Sequence, residues 1–343
     1  MNRRIVLCAA ALALLAASGC GSAKQERMPL WPNIEPYETG RLRVSDLHEI
    51  YWERSGAPEG KPVYVLHGGP GAHSLPYYRR FFNPRVFQIV QHDQRGAGQS
   101  TPFLETRENT TQDLVEDIER LRRKFGHDKI IIFGGSWGST LGLAYAETYP
   151  EHTAALVLRG IFTATAEELE HYYCGGSAYF FPETFESLQA AMPEAARCVS
   201  PDTLYRGMVS GDETLRKRYA IAWLEYEAGI AHAEPQPIDA EAGWRDENGW
   251  RRGMLSLGVL ENWYMSNRCF LREGQLIEDA GRLAGIPVTL VNGRYDMICP
   301  PLFATRVHRA IPGSKLVIAE LSGHSMTEPR IEAALLEAMR ELE

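Results

Sequence analysis

Ile130-Ile131-Ile132-Phe133-Gly134-Gly135-Ser136-Trp137-Gly138 is a β-branched, apolar run that breaks into glycine, and it continues as Ser139-Thr140-Leu141-Gly142-Leu143-Ala144-Tyr145-Ala146. The run has the length and residue types of a buried strand, and the continuation is helix-like. A chain that passes from strand to helix so abruptly brings the two elements against each other, and glycines at 134 and 138 leave room for that approach. The residue at the apex, Ser136, is then held on a strained backbone with its hydroxyl raised above the sheet. A glycine-rich turn with an incidental serine has the same local pattern, so the reading rests on what surrounds it.

Outward from this turn the same alternation recurs. Before it come an opening hairpin near Leu42 to Val44 and Ile50 to Glu53, then two strands, Val63 to Leu66 and Phe87 to Gln91. Leu114, Ile118, Leu121 and Phe125 follow at helical spacing, with Asn109-Thr110-Thr111 marking the helix start. After it, Ala155 to Leu158 is a further strand. From about Thr163 to Gly281 no strand is evident and aromatic-rich helical segments predominate, with a polar loop near Glu234 to Gly249. The rhythm resumes with a strand at Ile286 to Val291, a helix at Leu302 to Ala310, a strand at Lys315 to Ala319 and a last helix from about Glu328. These signals predict an α/β fold with a mostly parallel sheet flanked by helices, in two core segments, 29–162 and 282–343, around a helical cap, 163–281.

The chain's 343 residues, 44% of them hydrophobic, suffice for one large core with an insertion. A formal net charge of −8, with no Lys/Arg-rich block, excludes a nucleic-acid partner, whose phosphates call for clustered basic side chains. Arg3 and Arg4 precede an apolar run, Ile5 to Ala17, that is too short to span a bilayer. Residues 1–19 therefore read as an export signal. Ala17-Ser18-Gly19-Cys20 resembles the lipobox of bacterial lipoproteins, which predicts lipidation at Cys20, a tether over 20–28 and a lipid-anchored protein of the cell envelope, on the periplasmic face of a bacterial membrane. The alternative is an ordinary secretory signal and a soluble periplasmic or secreted product. No Cys-x-x-Cys or other metal-ligand spacing is present, so no metal site is expected. Of the four cysteines beyond Cys20, Cys174 and Cys198 are candidates for a disulfide, against two buried thiols.

A serine hydroxyl needs a base to take its proton, and the base needs an acid to fix its tautomer. Asp296 follows the Val288 strand in Gly293-Arg294-Tyr295-Asp296, and His324 follows the Val317 strand in Ser322-Gly323-His324-Ser325. The chain order Ser136, Asp296, His324 is that of the α/β-hydrolase fold, and each candidate lies just beyond the carboxyl end of a strand. Asp93 is a rival acid, but Arg95 stands beside it and an ion pair between them is expected. The oxyanion of an acyl transfer would be met by the backbone N–H of Trp137 and by one from His67-Gly68-Gly69, taken as that of Gly69. That glycine-rich loop lacks the Lys and Ser/Thr of a phosphate-binding loop.

Taken together, His67-Gly68-Gly69-Pro70-Gly71, Asp93-Gln94-Arg95-Gly96-Ala97-Gly98, Glu108-Asn109-Thr110-Thr111, Gly134-Gly135-Ser136-Trp137-Gly138-Ser139 and Arg159-Gly160-Ile161-Phe162 resemble the proline iminopeptidases from about Pro29 onward. The resemblance implies a serine peptidase that removes proline from short peptides with a free N-terminus through a covalent acyl-enzyme, without a cofactor. It implies amine-binding glutamates in the cap: Trp223-Leu224-Glu225-Tyr226-Glu227 and Glu261-Asn262-Trp263-Tyr264 point to Glu227 and Glu261. Such carboxylates would offset the desolvation of a cationic amine. It further implies a proline pocket walled by Phe162 and Tyr172, with Cys299 nearby. Met265 stands where the family often has Phe, which predicts a softer wall and a relaxed proline preference. The alternatives to this reading are an esterase or amidase of the same fold acting on uncharged small substrates, which would be indifferent to both glutamates, and a binding lipoprotein with a degenerate hydrolase fold.

Overall fold

The computed structural model describes residues 29–193, 197–236, 238–247 and 249–343. The export signal, Cys20 and the tether expected at 20–28 lie outside the described residues.

Eight strands form a single sheet: β1 (Glu38–Arg43), β2 (Glu49–Gly56), β3 (Lys61–Leu66), β4 (Phe87–His92), β5 (Ile130–Ser136), β6 (Thr153–Ile161), β7 (Val288–Gly293) and β8 (Lys315–Ala319). Their order is β1-β2-β4-β3-β5-β6-β7-β8; β1 and β2 are antiparallel to their neighbours, and all pairings from β4 to β8 are parallel. The period-two alternation of side chains divides the core in two. Tyr64, Leu66, Ile130, Ile132, Leu156 and Leu158 face one layer. Val63, Val65, Ile131, Phe133, Ala155 and Val157 face the other.

Outside the cap the helices are α1 (Pro76–Arg79), α2 (Thr111–Phe125) and α3 (Trp137–Thr148). The start of α2 is fixed by a capping box in which Thr110 and Asp113 exchange hydrogen bonds, and its predicted stripe of Leu114, Ile118 and Leu121 is buried. Between β6 and β7 the elements among the described residues are helical: α4 (Ala166–Tyr173), α5 (Pro182–Ala190), α6 (Pro201–Val209), α7 (Glu213–Ile230), α8 (Ala240–Arg245), α9 (Trp250–Ser266) and α10 (Gln275–Glu278). The core closes with α11 (Pro301–Ala310) and α12 (Pro329–Arg340).

Helix α8 lies inside the stretch expected to be a polar loop. The Asp239 side chain caps it by accepting from the Ala242 N–H at 2.8 Å, and Trp244 buries itself on one face, which together outweigh the polar composition. Cys174, at the end of α4, is joined by a disulfide to Cys198, just before α6. Cap and core meet where Trp137 packs edge-on against Tyr264 of α9, with ring centroids 4.8 Å apart, and the Tyr264 hydroxyl donates to the Asn109 side chain at 2.8 Å.

Candidate active site

Ser136 sits between β5 and α3 with φ 58° and ψ −127°. A Cβ at Gly134 would lie 2.3 Å from the Gly138 carbonyl oxygen, and one at Gly138 would lie 2.1 Å from that of Leu66, so the turn is closed to any side chain at either position. The turn's geometry thus gives both glycines the steric role expected of them. Helix α3 begins at the next residue, so its first N–H groups and the positive end of its dipole are directed at the serine.

Asp296 and His324 are brought together from loops after β7 and β8. His324 Nδ1 donates to Asp296 Oδ2 at 2.9 Å, and both side chains are buried. Asp296 Oδ1 is also held by the N–H groups of Ile298 and Cys299, at 3.0 and 2.7 Å. His324 Nε2 accepts from Arg159 Nη1 at 3.0 Å, and no hydrogen bond joins it to the Ser136 hydroxyl. Burial holds the His324 imidazole below the usual histidine range; Asp296 opposes this and Arg159 adds to it. The ring is therefore neutral at neutral pH, with its proton on the side of Asp296 and a lone pair on Nε2.

Two residues that sequence reasoning missed shape this centre. Gly160, inside β6, has φ +54°, and a Cβ there would come within 2.8 Å of His324 Cε1 and 3.0 Å of Nδ1. A glycine inside a strand is the signal that could have found it. Asn292 accepts from the Ile161 N–H at 2.8 Å and donates to the Cys299 carbonyl at 3.0 Å, tying the end of β6 to the Asp296 loop. The expected ion pair between Asp93 and Arg95 is not formed. Arg95 is turned to Asp117, with two bonds of 2.7 Å, while Asp93 accepts from the N–H groups of Ser74 and Gln99, both at 2.7 Å. Two positions apart, the side chains would share a face if the segment were extended, but the chain leaves the strand at His92 and turns at Arg95-Gly96, which directs them to different partners.

The loop after β3 closes over the serine. A Cβ at Gly68 would be 3.3 Å from Ser136 Cβ, which brings Gly68-Gly69 alongside the nucleophile candidate. Gln94 locks the arrangement: its N–H donates to His67 Nε2 and its amide to the His67 carbonyl, each at 3.0 Å, and it accepts from Trp137 Nε1 at 2.9 Å. Burial brings His67 down to about 4, so it remains a neutral acceptor. Phe162 is tied to α3, its N–H donating to Ser139 Oγ at 3.1 Å and its carbonyl accepting from Thr140 at 2.7 Å. Glu168, also missed, is buried and pushed up to about 8; it accepts from the Thr163 N–H at 2.8 Å and so holds the segment after Phe162.

Glu227 of α7 and Glu261 of α9 stand close enough for each to influence the other's titration. Glu227 also accepts from the Tyr172 hydroxyl, and Glu261 from Trp223 Nε1 at 2.9 Å. Burial pushes Glu227 up to about 7 and raises Glu261 further, with the neighbouring Glu227 carboxylate adding to that rise. Among the described residues neither has a cationic partner. Met265, one turn on from Glu261, is buried and packs its sulfur 3.6 Å from that of Cys269. Asp296, Cys299 and His324 place ligand-type atoms within 4.8 Å of one another. That group is poorly suited to a metal, because the carboxylate is engaged by two N–H groups and the imidazole, and burial raises the Cys299 thiol, disfavouring the thiolate a metal needs.

Residues 61–329 match the family model described as alpha/beta hydrolase fold. Over 310 residues the chain is 43% identical to a proline iminopeptidase of Xanthomonas citri, covering 90% of this chain and 97% of the relative. It is 41% identical to one of Arabidopsis thaliana over 311 residues, 90% of this chain and 80% of the relative. The chain belongs to the proline iminopeptidase family. Among solved structures this proline iminopeptidase relative is similar in fold to a bromoperoxidase of Bacillus anthracis, with a TM-score of 0.62, 19% identity and coverage of 89% and 99%. It is likewise similar to an esterase of Exiguobacterium antarcticum, with a TM-score of 0.60, 18% identity and coverage of 88% and 98%.

Proposed function

We propose that this protein is a serine aminopeptidase that releases N-terminal proline from short peptides. The observation that carries the proposal is the pair Glu227 and Glu261: two neighbouring carboxylates, Glu261 buried and Glu227 half-buried, with no cation among the described residues to offset them. Such a pair is stabilised by a cation supplied from outside, and the charged amine of a peptide N-terminus is one. The names of the relatives point to the same substrate.

In this reading Ser136 Oγ attacks the prolyl carbonyl and its proton passes to His324 Nε2, oriented by Asp296. For that transfer the Nε2 lone pair must turn from Arg159 to the Ser136 hydroxyl. The N–H groups of Trp137 and Gly69 meet the oxyanion. The imidazolium then protonates the leaving amine, the C–N bond breaks, and water hydrolyses the prolyl ester on Ser136 by the reverse proton path. Phe162, Tyr172, Met265 and Cys299 line the ring pocket. No metal or organic cofactor enters any step.

The same proposal includes export and lipid anchoring at Cys20, supported by the lipobox-like Ala17-Ser18-Gly19-Cys20. Among the described residues no helix is long and apolar enough to cross a membrane.

Comparing prolyl-arylamide with acetyl-prolyl-arylamide tests the activity. The free-amine substrate is expected to be cleaved and the acetylated one refused. Equal cleavage of the two would replace the aminopeptidase by an esterase or amidase indifferent to charge.

A further inference from the structure

A cavity of about 730 Å³ opens between the loop after β3, the loop after β4 and the cap. Three observations connect it to the site. Its wall includes Gly71 to Leu75, the continuation of the Gly68-Gly69 segment that lies against Ser136. Leu257 of α9 also lines it, one helical turn before Glu261 and on the same face of that helix. A Cβ at Gly69 would touch that same Leu257 at 3.2 Å, so oxyanion loop, cavity and amine pair meet around one side chain.

The lining is apolar on the cap side, with Leu224, Ile238 and Trp250, and carries one exposed cation, Arg252. The guanidinium is stacked 3.5 Å over the centroid of Phe103 and donates to the Gly98 carbonyl at 3.0 Å, which fixes its position at the rim. No carboxylate pairs with it among the described residues. The other charged group of the lining, Asp93, already has an N–H on each oxygen. Arg252 is thus a positioned cation that no carboxylate among the described residues neutralises, beside a cavity of a size that encloses small ligands.

Resting on the aminopeptidase reading, we propose that this cavity receives the part of the peptide that follows proline, and that Arg252 recognises its free C-terminal carboxylate. About two residues, roughly 7 Å of extended chain, separate the scissile bond from that carboxylate in a tripeptide. Free tripeptides are then preferred over their C-terminal amides, and a chain too long to end there gains nothing from Arg252.

The test measures kcat/KM for a prolyl tripeptide as free acid and as C-terminal amide, with prolyl-arylamide assayed in parallel. In the wild type the acid is expected to be favoured about two- to fivefold, the size of an exposed ion pair, with the ratio shrinking as salt rises. Arg252→Gln brings the ratio to about one, Arg252→Glu inverts it, and Arg252→Lys keeps most of it. A wild-type ratio of one, or a preference that survives both Arg252→Gln and Arg252→Glu, overturns the inference while prolyl-arylamide turnover leaves the aminopeptidase reading standing. Loss of that reading shows separately, as wild-type protein that does not cleave prolyl-arylamide at all.

Discussion

The charge state of Glu227 decides when the amine pocket works. Burial pushes this carboxyl up to about 7, so its anion forms only as the pH rises through that value. Cleavage of prolyl-arylamide is therefore expected to have an acid limb near pH 7 in kcat/KM, whereas a small neutral ester follows the lowered His324 and keeps its rate to lower pH. Glu227→Gln should abolish the limb near 7 and cost at least tenfold, about 1.4 kcal/mol, on the arylamide. The sign for stability is opposite. A carboxyl raised in the folded state binds its proton more tightly there than in the unfolded chain, so between the ordinary 4.5 and about 7 the free enzyme loses stability as pH rises. Urea midpoints at pH 5 and pH 8 should show that decline, and it should be shallower in Glu227→Gln; a steeper decline in the variant contradicts the assignment. Asp296→Asn is expected to lower kcat by orders of magnitude, because the amide favours the wrong imidazole tautomer. Ser136, Asp296 and His324 are legible in the sequence because each follows a strand signal. Arg159, Asn292 and Glu168 are not: Arg159 meets His324 from 165 positions away and Asn292 meets Ile161 from 131, contacts that only the folded sheet creates.

Among the elements, β6 and α4 carry the most constraint. Gly160 interrupts a strand, and its positive φ and the imidazole 2.8 Å from a would-be Cβ leave no room for alanine. Gly160→Ala should displace His324 and reduce kcat by at least tenfold with the substrate's KM less affected; near-normal kcat would show that the ring tolerates the shift. Helix α4 carries Tyr172, which donates to Glu227, and its end is tied by Cys174 to Cys198 and by the Tyr173 carbonyl to the Val199 N–H at 2.8 Å. Replacing both cysteines by serine is expected to cost about 3 kcal/mol, read from urea denaturation, as loss of a closed loop of this length does in the chain-entropy model. The strands and core helices are legible because their patterns are strong. Helix α8 is not, since its stability comes from one cap and one buried tryptophan rather than from periodicity.

At the scale of the whole molecule, the proposed lipid anchor predicts that full-length protein made in a bacterium fractionates with membranes. Two acyl chains on Cys20 suffice for stable attachment. Cys20→Ser should leave unprocessed precursor, and wild-type protein that is soluble and free of lipid by mass spectrometry would dismiss the anchor.

A single carbonyl has a larger effect than its size suggests. Ala231, at the end of α7, accepts from the N–H groups of both His324 and Ser325, at 2.8 and 2.9 Å, and the same helix carries Glu227. The helix that carries Glu227 is thereby tied directly to the segment that carries the base, so a shift of α7 either breaks these two bonds or is passed on to the position of the imidazole.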